Sequence, residues 1–377
     1  MVQDGNQQEF SSTAGPTTSR IFGALLIAIA VLTTWGCGSS NSGGTQPPPP
    51  PGYTAIDAPG AGTTAGMGTE VLAVNARGDV VGVFKDSNNM FHGFLRTAAG
   101  TFTTLDAPDV GSSNTFPTAI NSSGTVAGSF ADASSVGHVF LRTSAGTYTT
   151  IDPPNSVSTG FGGLNDAGEI TGYFSDTSTS SLRNFVRAPD GTFTVFNGPN
   201  PMPSQVGPGK INAAGTFAGS DVDTNGVFHG LLRAADGTQT TFDAPGAGTA
   251  NKEGTLAIGI NASGVALGAA IAPGVQHGFV RAADNTYTTF DPPGPPAFGL
   301  VAQNINDSGS IVGGYKDAGG AYHGYLRAPD GTITTLDDPK ALIASGSGTF
   351  ATDINSSGVI VGVYFDSSKV FHGFVRK

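Results

Sequence analysis

The feature that most constrains this chain is a repeated tetrad, Asn-x-x-Gly, at Asn75, Asn121, Asn165, Asn212, Asn261, Asn306 and Asn355, spaced 44 to 49 residues apart. Four residues beyond each of its glycines stands another, at Gly82, Gly128, Gly172, Gly219, Gly268, Gly313 and Gly362, inside short apolar runs such as "DVVGVF" and "VIVGVY". A segment of the type "HGFLR" follows, with His92, His138, His229, His277, His323 and His372 at its head and Arg183 in that place in the third copy. The Arg that closes this segment never varies. A Thr-rich stretch ending in Asp-x-Pro completes the copy, with Asn197 once replacing the Asp.

A period of this length, with four strand-like segments and no helical periodicity, predicts a β-propeller blade. Asn opening a tight turn and Gly where a left-handed residue is required describe a hairpin, so each blade reads as two linked hairpins. The last copy stops after "FHGFVR" without its Thr-rich strand, while the repeat region opens on "YTAIDAP", an orphan copy of that strand. The fold predicted is all-β: a seven-bladed β-propeller with four-stranded blades, its last blade completed by residues near Tyr53 to Asp57. Completion from the other end of the chain removes an open sheet edge that would invite pairing with other chains.

These repeats resemble the HAF repeats of predicted extracellular bacterial proteins, with Gly or Val at the central position, as at Gly93 and Val139. The resemblance covers Tyr53 to Lys377. It implies a repetitive β fold and a secreted or surface location, and it brings no activity with it.

The segment ahead of the repeats carries location. After Arg20 comes "IFGALLIAIAVLTTWGC", an apolar run too short to span a membrane comfortably and suited to a secretory leader. It ends at the only cysteine, Cys37, in a context that resembles a lipobox, with Thr34 where Leu is usual. The division expected is a signal peptide over 1–36, a lipid-bearing Cys37 with a Gly/Ser/Pro tether over 37–52, and the propeller over 53–377. The protein is then exported and anchored by lipid at the bacterial envelope, at the outer membrane or cell surface, or secreted where the lipobox goes unused. The 57 glycines, 12% charged residues and net charge of −11 leave no basic face, which argues against nucleic acid and against any membrane contact beyond the lipid.

Candidate chemistry is sparse because the reactive residue types belong to the repeat. The six His pair in register with the Asp of Asp-x-Pro, as His92 with Asp106, and with them Asp152, Asp243, Asp291 and Asp337, which reads as one polar packing solution used repeatedly. The turn asparagines Asn121, Asn261, Asn306 and Asn355 also match N-x-S, and their turn role is the simpler reading. "DVDTNG" offers calcium-type oxygens at Asp221, Asp223 and Asn225, with Leu232 where a closing Glu belongs, so calcium is the one cofactor left open. The uniform turns fall on one face and the unlike connections on the other, which makes Met67, Glu70, Lys210, Lys252 and Glu253 the candidate ligand contacts of a variable loop face.

The function expected is a monomeric binding or scaffolding module for an envelope or extracellular protein or glycan. The alternative is a polysaccharide-acting hydrolase or lyase at the mouth of the central channel, and few carboxylates stand apart from the repeat to serve it.

Overall fold

The computed structural model describes residues 52–107, 114–178, 181–199, 209–294 and 301–377. The leader, Cys37, the tether up to Pro51 and most of the "GPNPMPSQVGPGK" connection lie outside them. Among the described residues there are 28 strands and no helix, and they pair in antiparallel groups of four, each called a sheet below, with two couples of groups joined by a single parallel bridge, Gly68 to Phe371 and Gly254 to Phe228. Sheet 1 runs Gly68–Val74, Val80–Lys85, Phe91–Arg96 and Phe102–Leu105, each strand hydrogen-bonded to the next. Sheets 2 to 6 repeat this order over 115–151, 156–196, 210–242, 254–290 and 301–336. Sheet 7 takes Thr349–Ile354, Ile360–Phe365 and Phe371–Arg376 from the chain's end and its fourth strand, Tyr53–Ile56, from the start of the repeats, with Tyr53 opposite Arg376 and Ile56 opposite Gly373.

The first strands of neighbouring sheets touch one another around a common axis, and the fourth strands lie outermost. The apolar core is accordingly not one mass but a series of seams between adjacent sheets. One seam joins Val71, Val80 and Phe94 of sheet 1 to Val361 and Val375 of sheet 7, with Ile56 between them. The next joins Val81 and Leu105 of sheet 1 to Ile120, Val126 and Phe140 of sheet 2. Each short fourth strand contributes little to these seams: in Tyr53–Ile56 and Phe102–Leu105 the two middle residues face solvent and the last is buried.

The first strands are irregular in a shared way that the sequence reading missed. A β-bulge interrupts the register between Val71 and Ala73 and at the matching point of the first strands of sheets 2, 3, 5, 6 and 7. It presses a main-chain carbonyl toward the second strand, so a methyl at Gly82 would overlap the oxygen of Glu70, and one at Gly362 that of Phe350. That close approach accounts for the second repeated glycine.

The turn asparagines do more than shape turns. Asn75 Oδ1 accepts the N–H groups of Arg77 (3.0 Å) and Asp79 (2.9 Å), as the hairpin reading requires. Its Nδ2 donates to the carbonyl of Asn121 in the next sheet (3.2 Å), and so in turn do Asn121 to Asn165, Asn165 to Asn212, Asn212 to Asn261, Asn261 to Asn306 and Asn306 to Asn355. Asn355 donates back to Asn75 (2.9 Å). The seven side chains are buried and form a continuous circle of hydrogen bonds around the axis. The same use of Nδ2 leaves little room for glycosylation at the four N-x-S matches.

Candidate functional site

Each repeat histidine sits where the third strand faces the end of the fourth. In sheet 7, His372 Nδ1 donates to Asp57 (2.6 Å), a contact 315 residues apart in the chain. His92 meets Asp106 at 3.2 Å, His138 Asp152 at 2.7 Å, His229 Asp243 at 2.8 Å, His277 Asp291 at 2.7 Å and His323 Asp337 at 2.9 Å. On its other side the imidazole approaches the aspartate of the hairpin between second and third strands, His323 Nε2 lying 3.4 Å from Asp317 and His372 Nε2 3.4 Å from Asp366. Four of the rings also stack on an aromatic residue of the second strand, as His92 on Phe84 and His372 on Tyr364. In sheet 3 the exception preserves the pattern: Arg183 donates to Asn197 (3.2 Å) and to Asp176 (3.1 Å). Burial lowers the affinity of His323 for a proton, but Asp337 and Asp317 outweigh it and its pKa is raised; Asp57 and then Asp366 raise that of His372 against the same burial. These residues bind sheet to strand and not to a shared reaction centre.

The calcium-type loop is built like its counterparts. Asp223 Oδ1 accepts the N–H groups of Asn225 and Val227, both at 2.8 Å, as Asp86 accepts those of Asn88 and Met90. Backbone donation from Val227 first, and then from Asn225, holds the Asp223 carboxyl below its usual range. Asp221 is buried within the second strand of sheet 4, opposite His229. Among the described residues no group of three or more His, Cys, Asp or Glu side chains converges in a way that could hold a metal ion.

The five candidate ligand contacts divide. Met67, Lys252 and Glu253 belong to connections between sheets: the carbonyls of Met67 and Glu253 each accept the N–H that opens the preceding sheet's third strand, from Phe371 and Phe228 (2.8 Å each), and Lys252 is exposed with φ of 68°. Glu70 and Lys210 correct the sequence reading, because they are not loop residues. Glu70 lies in the first strand of sheet 1 and is 7% exposed, and Lys210 opens the first strand of sheet 4, Lys210–Ile211. The hydrogen-bonded part of each first strand reaches further toward the variable face than apolar pattern alone suggested. Burial pushes the Glu70 carboxyl up to about 7, opposed only by the charge of Lys85, and it has no hydrogen-bond partner among the described residues.

A second polar group, unread in the sequence, gathers at the axis. Two residues before the turn asparagine, sheets 1, 2, 3 and 5 carry Ala73, Ala119, Gly163 and Gly259, whereas sheets 4, 6 and 7 carry Lys210, Asn304 and Asp353. Asp353 Oδ2 accepts the N–H of Val74 in sheet 1 (2.9 Å), while its Oδ1 accepts the N–H of Ile354 (2.9 Å) and the side-chain amide of Asn304. Lys210 Nζ reaches from sheet 4 to the carbonyl of Gln303 in sheet 6 (3.3 Å). The signal for this group was available as three polar departures at one repeat position otherwise held by Ala or Gly.

No protein-family model matches the chain, and no curated protein matches it in sequence. Its fold does match solved structures. With virginiamycin B lyase from Staphylococcus aureus it superposes at a TM-score of 0.56 and 15% identity, over 86% of this chain and 99% of that one. With the β-propeller domain of the Trilobed protease from Pyrococcus furiosus the values are 0.53 and 10%, over 82% and 95%. With U3-55K they are 0.55 and 10%, over 86% and 98%. At these identities the likeness is one of fold: the chain is a β-propeller.

Proposed function

We propose that this β-propeller is an exported, envelope-anchored binding or scaffolding module that recognises a protein or glycan through the face opposite its asparagine turns. The observation that carries the reading is the placement of exposed apolar surface. Among the described residues the large hydrophobic side chains left exposed are Met90 (38%), Val157 (48%) and Ile343 (45%). Met90 is in the hairpin after the second strand of sheet 1, Val157 is the second residue of the first strand of sheet 3, and Ile343 is in the connection into sheet 7, all at the variable end of the strands. Unlike loops held on a rigid scaffold are a common seat of recognition. The apolar leader, Cys37 and the resemblance to HAF repeats support the location.

A thermal-shift screen against envelope polysaccharides and peptides tests the recognition. A ligand should raise the unfolding temperature of the native chain and fail to do so when Met90, Val157 and Ile343 are changed together to Ser. A panel without any shift, or an equal shift in the triple variant, counts against it. For the anchor, Cys37→Ser should move the protein from the membrane to the soluble fraction, and an unchanged distribution would remove the lipid from the reading.

Glu70 favours a second reading, an enzyme acting on polysaccharide at the channel mouth. A buried carboxyl whose pKa stands near neutrality is suited to take up and release a proton. If the screen yields shortened or unsaturated products, Glu70→Gln should lower their rate by about 100-fold or more. Products formed equally fast by that variant would end this reading.

A further inference from the structure

In a molecule of seven similar sheets, side chains that break the repeat in distant sheets can meet only at the axis, and Lys210, Asn304 and Asp353 do so. Their bonding is unequal. The two oxygens of Asp353 already accept three donors, so the carboxylate is provided for within sheets 1, 6 and 7. Lys210 carries three N–H donors and makes one hydrogen bond among the described residues, to the neutral carbonyl of Gln303. No carboxylate oxygen of those residues lies within 4.0 Å of it. Burial depresses its pKa and the charge of Asp353 opposes this only in part, while the residue as a whole is half-buried.

The first strand of sheet 2 adds a second uncommitted group. Thr118, the residue in the bulge between Pro117 and Ala119, has a buried hydroxyl with no hydrogen-bond partner. The corresponding residues of sheets 1, 3, 5, 6 and 7 are Leu72, Gly162, Ile258, Gln303 and Thr352, and the level below carries Ala73, Ala119, Gly163 and Gly259 beside Lys210, Asn304 and Asp353. A cation with unused donors and a hydroxyl without a partner, on a wall whose one carboxylate at this level, Asp353, already accepts three hydrogen bonds, is a setting that a small anion would complete.

We infer that the axial channel binds a small oxyanion, a carboxylate or a phosphate, alone or as the end group of a larger ligand, with Lys210 supplying the charge and Thr118 a hydrogen bond. The site is separate from the loop face, so either can fail while the other stands.

The test uses the purified chain with acetate and with inorganic phosphate, at constant ionic strength made up with chloride, read by calorimetric titration and thermal unfolding. One anion should bind per chain with a saturable rise in unfolding temperature, abolished in Lys210→Met and weakened several-fold in Thr118→Val. A response to acetate alone identifies a carboxylate site, and a response to phosphate alone a phosphate site. The inference is overturned if neither anion binds saturably, or if a folded Lys210→Met binds as well as the native chain. Should Lys210→Met not fold, Thr118→Val decides, and undiminished binding there overturns it.

Discussion

Single residues here are assigned by what their side chains have left to bond. The turn asparagine has two duties, and only the Oδ1 half is local. Removing the other half at Asn306 deletes one link of the circle and leaves the carbonyl of Asn355 with the Gly358 N–H alone. Asn306→Ala, which also removes the Oδ1 acceptor of the Ser310 N–H, should cost about 1–3 kcal/mol in chemical denaturation, and a loss below about 0.5 kcal/mol would reduce the circle to ornament. The histidines and buried acids make a pH prediction whose sign can be worked out. His323 and His372 have folded-state pKa values above the unfolded one, so their contribution is complete below that unfolded value and is lost as pH rises through the folded value. Glu70 behaves alike, its contribution fading through about 7. The hairpin aspartates Asp86, Asp132 and Asp317 have depressed values, so what they add is present above the ordinary Asp range and lost in acid. The unfolding temperature should peak in mildly acidic solution, fall as pH rises from 4.5 to about 7 with Glu70, and fall further above 6.5 with the two histidines. His372→Gln should flatten that fall, and a profile unchanged by it would assign the slope elsewhere.

At the scale of the strand, sheet 3 is a natural test of whether the His and Asp act as a pair. Arg183 and Asn197 change together and keep the bond across third and fourth strands. Arg183→His and Asn197→Asp should each destabilise alone and partly rescue one another when combined, with a coupling of about 1 kcal/mol in a double-mutant cycle. Additive losses would mean that the two positions are independent. The pairing of His92 with Asp106 was legible from register alone, because a hairpin turn of known length sets which residues on adjacent strands face each other. The bulge was not legible, since an extra residue in a strand whose partners are all unlike leaves no mark in apolar periodicity. A polar residue near the head of a first strand looks, in pattern, like the loop before it, which is why Glu70 and Lys210 read as loop residues in the sequence.

For the whole molecule, stability resides in seams shared by neighbouring sheets, so the seam between the two ends of the chain is one among equals. Ile56 ends the fourth strand of sheet 7 as Leu105 ends that of sheet 1, and they are 1% and 0% exposed. Ile56→Ala and Leu105→Ala should cost about the same, about 2–5 kcal/mol each. A negligible loss at Ile56 would show that the first strand is dispensable to the ring.

The sequence by itself determined the repeat, its strands and hairpins, the partner of each repeat histidine and the strand missing from the last copy. These are periodic or local properties, set by side-chain alternation and by the conformations that Asn and Gly allow. The circle of asparagine amides, the uncommitted lysine and the buried carboxyl of Glu70 were decided only in three dimensions. Each depends on which residues of different sheets meet at the axis and on how much water reaches them there, and neither distance across a ring nor depth within it is written in the order of the chain.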